Sequence, residues 1–256
     1  MPVIHSSFKT PFLKGTIIKK EKIAAHTYHL RVQGDDIKNM DYIPGQHMKV
    51  IVGMNKNALL NDKVRSYSIW DYNKENGTMD VAICTFSNGL GAKWAELVDA
   101  GDDFYFFIKT TLTVDDSAKN YFFIGDITTL AHFYKLRRSL EPDKKIHGFI
   151  YSDNETNFFT DLDGFKPFDF CTLQPENNSG KLYDNSSSVP VNFLKEKISS
   201  VFSGNRELST SNCIVYLGGD ARVCAAMTNL FIRDLQFSPE KIKMKSFWNP
   251  DKTNEG

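Results

Sequence analysis

The hydrophobic pattern of this chain changes its period near residue 114, and this change limits the folds that the chain can adopt. Before that point, apolar and polar residues alternate over short segments that are separated by turn residues. Alternation of this kind is typical of half-buried strands. The clearest segments are residues 27–32, 47–52, 67–70 and 79–86, and one short helix is predicted over residues 91–98. Several strands at this spacing predict an antiparallel β-barrel or sandwich.

After residue 114, runs typical of buried strands alternate with apolar residues at helical spacing. The predicted strands are residues 121–126, 145–151, 213–217 and 242–248, and the predicted helices are residues 130–140, 193–202 and 222–235. Thr128 or Thr129 is the predicted N-cap of the first of these helices. Strand–helix alternation predicts a parallel sheet covered by helices. We therefore predict two domains, a β-barrel over residues 1–114 and an α/β domain over residues 115–256.

Composition excludes several classes of function. The 31 basic and 31 acidic residues balance, so no overall field favours nucleic acid as a partner. No apolar run is long enough to span a membrane, and the N-terminus lacks the apolar segment of a signal peptide. The four cysteines lie far apart, which argues against a zinc site, a cysteine-held cluster or a disulfide framework. Reduced, buried thiols indicate a cytoplasmic protein. Nothing in the sequence indicates an oligomeric state, and no residue pattern indicates a metal site.

The segment Arg65-Ser66-Tyr67-Ser68 has the residue types that hold a flat cofactor with a phosphate group. An arginine binds phosphate through its guanidinium fork, and a tyrosine two residues later faces the same side of a strand. That tyrosine can lie against the ring of a flavin, and the serine hydroxyl can reach the ring's polar edge. The alternative is an exposed arginine beside a half-buried tyrosine.

A second candidate lies in the barrel half, in the loop before the predicted helix. Its backbone amides could hold a pyrophosphate at the start of the helix. The residues concerned are Asn88, Gly89, Gly91, Ala92 and Trp94. The alternative is a flexible hairpin loop that leads into a surface helix.

A third candidate follows two strands of the predicted parallel sheet. Ligands of open α/β sheets bind beyond the carboxyl ends of the strands, where Gly125, Asp126, Thr128, Gly219 and Asp220 fall. Glycine lets a phosphate or a ring approach the backbone, and a helix N-terminus favours anions. Each glycine alone is also compatible with ordinary turn chemistry. The G-x-G-x-x-G fingerprint of a standard dinucleotide-binding domain is missing from the sequence.

Five segments in order resemble the siderophore-interacting proteins, which are FAD-dependent ferric-siderophore reductases of the ferredoxin–NADP reductase superfamily. They are Arg65-Ser66-Tyr67-Ser68, residues 89–95 with Gly101-Asp102, residues 125–130, Gly219-Asp220 with the following helix, and Lys245-Ser246-Phe247-Trp248. The chain departs from the family pattern at four positions, Trp70, Thr85, Ile127 and Ala131. The changes at Trp70 and Thr85 affect contacts to the flavin phosphates. The change at Ile127 affects the polarity on the cofactor side.

The resemblance implies a ferredoxin-reductase-like fold, FAD in the barrel and NADH or NADPH in the α/β domain. It implies hydride transfer to the flavin, followed by single-electron transfer to a ferric siderophore or a similar ferric chelate, which then releases iron(II). The chemistry belongs to the flavin, so no catalytic side chain is predicted. Asp153 and Glu155 follow a strand end and favour NADH, because carboxylates there suit a ribose hydroxyl and repel a 2′-phosphate. Both are equally compatible with ordinary loop acids.

The lysines Lys241, Lys243 and Lys245 are spaced by two, which places them on one side of the predicted last strand. Together with Trp248 they form the predicted binding site for an anionic chelate. The alternative is the solvated face of that strand. Two other functions remain open from the sequence, a general reductase of flavin or of a small redox protein, and a ferric-chelate binding module without turnover.

Overall fold

The computed structural model describes residues 12–52, 64–87, 89–110, 112–173, 190–205 and 207–249. In these ranges the N-terminal half contains seven strands in one antiparallel sheet, with the order β4-β3-β7-β1-β2-β6-β5. The strands are β1 Leu13–Ala24, β2 Thr27–Gln33, β3 His47–Ile51, β4 Val64–Ser68, β5 Asp71–Asn73, β6 Thr78–Cys84 and β7 Asp103–Lys109. Helices α1 (Asp35–Lys38) and α2 (Leu90–Leu97) lie between them.

The alternation in the sequence matches the burial of the N-terminal sheet. In β6, Met79, Val81 and Ile83 are fully buried, and Leu30 and Val32 of the neighbouring β2 are buried with them. These side chains share one core with residues from α1 and α2. Because β4 also contacts β6, the sheet bends round this core, in agreement with the predicted barrel.

The C-terminal half contains a parallel sheet, whose five strands within the described residues have the order β10-β9-β8-β11-β12. They are β8 Asn120–Asp126, β9 Lys145–Ser152, β10 Asp169–Thr172, β11 Cys213–Asp220 and β12 Ile242–Trp248. Helix α3 (Leu130–Arg138) packs on one face of the sheet, while α4 (Val191–Gly204) and α5 (Ala221–Asn229) pack on the other. This arrangement confirms the predicted α/β architecture. Strands buried from both sides explain why β8 and β11 read as continuous apolar runs.

Thr129 is the N-cap of α3, as one of the two predicted alternatives has it, although its side chain caps no N–H within the described residues. The 3₁₀ turn Ile127–Thr129 precedes the helix, and Asp126 caps that turn by accepting the N–H of Thr128. Two other local predictions were wrong in detail. The predicted strand 67–70 is shifted, since β4 ends at Ser68. The predicted helix 222–235 is α5 followed by a π-helical turn over Leu230–Asp234.

Trp70 connects the two sheets. It follows β4 in the N-terminal half, yet its side chain is 2% exposed and belongs to the core cluster beside α3. Its ring lies 5.4 Å from Phe159 and 6.3 Å from Tyr134, both in the C-terminal half. The two halves therefore share a packed interface, and the boundary near residue 114 stays a prediction.

Within the described ranges, no helix has the length and apolar character that a membrane crossing requires.

Candidate functional site

The four residues Arg65 to Ser68 lie along one wall of a cleft between the two sheets. This cleft, called here the Tyr67 cleft, has a cavity volume of about 180 Å³. Its other walls come from β6, from the start of α2, from Thr128 and from the end of β12. The further lining residues are Ala82, Cys84, Phe86, Ser87, Gly89, Gly91, Ala92, Phe247 and Trp248. The structure thus brings residues from four of the five resembling segments together.

Ser68 presents a hydroxyl that lacks a protein partner. The side chain is 6% exposed, and its Oγ is one of the buried polar atoms that make no hydrogen bond within the described residues. A buried hydroxyl without a partner costs free energy, about 1–3 kcal/mol, unless a ligand pairs with it. Since Ser68 also lines the Tyr67 cleft, its hydroxyl fits the polar edge of a ring bound there.

Tyr67 and Gly91 meet closely at the back of the cleft. A Cβ on Gly91 would lie 2.4 Å from the Tyr67 hydroxyl and 3.2 Å from Cγ of Arg65, so only glycine admits the tyrosine here. The Tyr67 ring stacks on Trp94 with centroids 6.4 Å apart. Burial raises the pKa of Tyr67 well above its usual value, which keeps the phenol neutral. A neutral, firmly held aromatic ring suits contact with a flat cofactor.

The N-terminus of α2 provides the anion-binding end of the site. Gly89 is its N-cap in an extended conformation, and no side chain within the described residues caps the first turn. That turn also contains no acidic residue. Its first-turn N–H groups and the Arg65 guanidinium are donors of the kind that a pyrophosphate requires. Asn88, which was predicted to contribute here, lies outside the described residues. Together with Ser68 and Tyr67, these donors fit a flavin nucleotide.

The residues at the carboxyl edge of the parallel sheet are occupied mainly with one another. Asp126, fully buried, accepts the backbone N–H of Thr128 on Oδ1 and that of Asp220 on Oδ2, both at 2.9 Å. Gly219 has φ +106°, and a Cβ there would lie 2.2 Å from Oδ2 of Asp126. Gly219 therefore leaves room for a neighbouring carboxylate, which was not the reason given in the sequence analysis.

Gly125 and Asp220 likewise make contacts within the protein itself. A Cβ on Gly125 would lie 2.2 Å from Oγ1 of Thr129, so this glycine admits a side chain of the following turn. Asp220 caps α5 by accepting the N–H of Arg222 and also pairs with the Arg222 guanidinium at 2.6 Å. Of the residues predicted at this edge, Thr128 lines the Tyr67 cleft.

A second pocket shares a wall with the Tyr67 cleft. It has a cavity volume of about 370 Å³ and is called here the Lys245 pocket. Strands β3 and β4 form one side, and the end of β12 forms the other. Both spaces share Ser66, Tyr67, Ser68, Phe247 and Trp248.

The Lys245 pocket is electropositive. Burial and the nearby charge of Lys49 lower the pKa of Lys245 to about 8. Burial, together with Lys245 and other cations, lowers the pKa of His47 to about 3, so this histidine stays neutral. Burial makes the largest contribution to both pKa shifts, and the positive groups nearby add to it, so an anion bound in the pocket would relieve part of this cost.

The other two predicted lysines lie elsewhere. Lys241 belongs to a 3₁₀ turn before β12, so it does not share the strand with Lys243 and Lys245 as predicted. Lys243 forms a 2.8 Å ion pair with Asp115. Lys49 and His47 were not among the residues predicted to line a binding site. Their alternation in β3 was visible, but their pairing with Ser66 and Ser68 across the sheet was not.

The positions that depart from the family pattern are used in packing. Ile127 and Ala131 are 1% and 4% exposed and join the core cluster around α3, as Trp70 does. Thr85 donates its backbone N–H to the carbonyl of His26 at 2.8 Å. Asp153, predicted to contact a ribose, follows β9 and lies 3.2 Å from the side-chain amide of Asn157, and Glu155 starts a 3₁₀ turn.

Comparison with known proteins agrees with this geometry. Residues 14–106 match the family model described as the oxidoreductase FAD-binding domain. No curated protein matches the chain at a significant level. Several solved structures, however, share the fold over nearly its whole length.

The siderophore-interacting protein SipS from Aeromonas hydrophila is 14% identical with a TM-score of 0.68, and the match covers 93% of this chain and 98% of that one. Ferredoxin–NADP⁺ reductase from Plasmodium falciparum is 16% identical with a TM-score of 0.70, covering 92% and 96%. A cytochrome P450 reductase from Amycolatopsis is 16% identical with a TM-score of 0.69, covering 94% and 72%. At these identities the likeness establishes the fold. It confirms the predicted two-domain ferredoxin-reductase-like architecture and the predicted resemblance to siderophore-interacting proteins.

Proposed function

We propose that this chain, whose residues 14–106 match the family model of the oxidoreductase FAD-binding domain, passes electrons from NAD(P)H to a ferric siderophore or a similar ferric chelate. One observation carries the proposal: an electropositive pocket shares a wall with the cleft that fits a flavin. A substrate bound in the Lys245 pocket would lie against Tyr67 and Ser68, next to the cofactor edge, so no long electron path is needed.

The proposed FAD contacts are divided among three elements. Arg65 and the first-turn N–H groups of α2 would hold phosphate, Tyr67 would contact the ring, and the Ser68 hydroxyl would pair with the ring's polar edge. Ser66, Asn88, Gly89, Gly91, Ala92 and Trp94 complete the predicted set. When bound, a flavin supplies the ability to accept two electrons as hydride and to donate them singly.

The proposed nicotinamide site lies beyond the carboxyl ends of β8 and β11, near Thr128. The geometry suggests that Gly125, Asp126, Gly219 and Asp220 shape this edge rather than contact the nucleotide. Asp153 and Glu155 support NADH over NADPH, because a carboxylate near the ribose disfavours a 2′-phosphate. A strong kinetic preference for NADPH would refute this assignment.

The proposed ferric-chelate site is the Lys245 pocket, with Lys49 and Lys245 as the cations and Trp248 as part of the wall. Ferric ion is bound tightly by hard oxygen ligands, and many such chelates are anions. Two lysines in a partly buried pocket attract an anion more strongly than lysines on an open surface. Reduction weakens the chelate's hold on the iron, and iron(II) is then released. The four free cysteines support a reducing, cytoplasmic setting.

The second candidate function is electron transfer to a small redox protein. It is supported by the shared fold with a ferredoxin reductase and a cytochrome P450 reductase. A charged pocket of this kind is less expected for that function, since a protein partner contacts a broad surface.

The test is anaerobic reduction of the purified protein with NADH and NADPH in turn, followed by a panel of ferric chelates. The proposal predicts a yellow protein that a nicotinamide nucleotide bleaches and that ferric chelates reoxidise. A colourless protein that binds ferric chelates without turnover would favour a binding module. Reoxidation by a redox protein alone would favour the second candidate.

A further inference from the structure

Trp248 forms part of the partition between the Tyr67 cleft and the Lys245 pocket. It is the last residue of β12, it is partly exposed, and it lines both spaces. Its indole ring is therefore part of the boundary between the two spaces, together with Ser66, Tyr67, Ser68 and Phe247.

Asp126, at the end of β8, holds the indole across the end of the intervening strand β11. Trp248 donates its Nε1–H to Oδ2 of Asp126 at 2.9 Å. A register shift between Gly219 and Asp220 brings Trp248 opposite Asp220, beside the Asp126 carboxylate. The Arg222 guanidinium lies 6.0 Å from the centre of the Trp248 ring, at the distance of a cation–π contact.

The Asp126 carboxylate accepts four hydrogen bonds from groups within the described residues. Oδ1 accepts the N–H and the hydroxyl of Thr128, and Oδ2 accepts the N–H of Asp220 and the indole of Trp248. An ionised carboxylate can accept all four bonds, whereas an asparagine amide offers one accepting oxygen and turns its NH₂ toward the other pair. Only a carboxylate at position 126 can accept all four hydrogen bonds. A glycine is needed at position 219, because a Cβ on that residue would overlap Oδ2 of Asp126.

We propose that Asp126 is a positioning residue, which holds Trp248 as the wall between the Tyr67 cleft and the Lys245 pocket and thereby controls how a ferric chelate reaches the cofactor edge. The part that concerns the chelate rests on the proposed function. The part that concerns the Asp126–Trp248 contact does not, and the two are tested by separate measurements.

The protonation of Asp126 provides a readout that a purely structural residue would not give. Burial, aided by the charge of Asp220, raises the pKa of Asp126 to about 6. Below that pH the carboxyl group carries a proton among four donors, and its bond to Trp248 weakens. The other titratable or charged groups around Asp126 are Asp220, Arg222, Tyr151, Cys84 and Cys224. Burial raises the pKa of Cys84 to about 12 and raises that of Tyr151 further, so neither changes its charge in this range.

The first measurement is fluorine NMR of the full-length purified protein labelled with fluorotryptophan. The three tryptophans give three resonances, and Trp248→Phe assigns one of them. The Trp248 resonance should shift with a midpoint near pH 6 in the wild type and should not titrate in Asp126→Asn.

Asp143→Asn, in an exposed turn, is the matched control and should titrate like the wild type. The wild-type titration needs no variant, so it tests the positioning role of Asp126 even if Asp126→Asn does not fold. A Trp248 resonance that is insensitive both to pH and to Asp126→Asn would overturn the positioning role.

The second measurement is the steady-state reduction of one anionic ferric chelate. Asp126→Asn should raise KM for the chelate about fivefold and leave kcat within about twofold. Trp248→Phe keeps an aromatic ring, although a smaller one, and removes the donor, so it should raise KM for the chelate in the same way. Adding Asp126→Asn to Trp248→Phe should change nothing further, because Asp126 acts through the indole. Unchanged KM in both single variants would overturn control of access. If ferric chelates fail to reoxidise even the wild type, the proposed function is refuted, while the NMR titration still decides the positioning role.

Discussion

Trp70 of the N-terminal half donates its indole N–H to Oδ1 of Asp161 in the C-terminal half, at 2.8 Å. Arg138 pairs with the same carboxylate and donates to the carbonyl of Trp70 at 2.6 Å. Both Trp70 and Asp161 are buried. The position at which the family often has an arginine is therefore used here to fasten one domain to the other. We expect this contact to fix the relative placement of the two walls of the Tyr67 cleft.

Trp70→Phe should destabilise the protein by about 2 kcal/mol, because the lost hydrogen bond has a charged, buried acceptor. The measurement is urea unfolding of the two single variants Trp70→Phe and Asp161→Asn and of the double variant. We expect a coupling free energy of about 1–2 kcal/mol from this cycle. Strictly additive effects would show that the indole and the carboxylate do not interact in solution.

Ser68→Ala should separate cofactor affinity from stability. The hydroxyl has no partner among the described residues, so its removal should leave the flavin-free protein as stable as before or more stable by about 1 kcal/mol. FAD affinity should fall about threefold to tenfold, as expected for one neutral hydrogen bond. Thermal unfolding of the flavin-free protein and FAD titration give the two values. Ser203→Ala, on the far side of α4, is the control for affinity. Unchanged FAD affinity in Ser68→Ala would remove this hydroxyl from the site.

Arg65→Ala should weaken FAD binding more than Ser68→Ala does. A charge-assisted contact to phosphate contributes about 1.5–3 kcal/mol, which corresponds to roughly tenfold to hundredfold in affinity. Arg65→Lys keeps the charge but loses the fork, so its loss should be intermediate. Lys93→Ala, an exposed cation on α2, is the control that tests for nonspecific charge effects. FAD retention equal to the wild type in a folded Arg65→Ala protein would contradict the assignment.

The sequence predicted the fold well because both halves bury their strands in regular ways. The alternation in β2 and β6 reflects one buried face, and the continuous runs of β8 and β11 reflect burial from both sides. The segment Arg65 to Ser68 was recognisable because one strand carries all its functional groups. Such local patterns survive in a single sequence.

The Lys245 pocket could not be predicted in this way. It depends on Lys49 and Lys245, which are distant in sequence and face each other only after the two domains pack. The contact between Gly219 and Asp126 could not be predicted for the same reason. A glycine after a strand suggested room for a ligand, but the space is filled by the carboxylate of Asp126 from a neighbouring strand. The spacing of residues along the chain does not show which side chain of another strand or helix will lie beside a given residue.

His132 should make the protein sensitive to acid. Burial lowers its pKa from 6.5 to about 4, so the unfolded chain takes up a proton at a higher pH than the folded one. Stability should therefore fall as the pH drops below 6.5, and His132 should account for about 2 kcal/mol of that loss at about pH 5. His132→Gln can keep the bond to the Leu112 carbonyl while removing the titrating group. Urea unfolding at neutral pH and at about pH 5 should show a smaller loss in the variant. An equal loss in both proteins would mean that His132 is not responsible.

The most direct test of the account is the rate at which the NAD(P)H-reduced protein is reoxidised by an anionic ferric chelate, measured anaerobically by stopped flow. Lys49→Ser with Lys245→Ser should slow association at least about tenfold at low salt, and the difference should shrink as salt screens the pocket. Lys241→Ser with Lys243→Ser, outside the pocket, is the matched control and should behave like the wild type. The wild-type rate should also fall as the pH rises through about 8, where Lys245 loses its charge. Equal rates in both double variants would exclude the Lys245 pocket, and rapid transfer to a redox protein without reoxidation by any ferric chelate would contradict the proposed function.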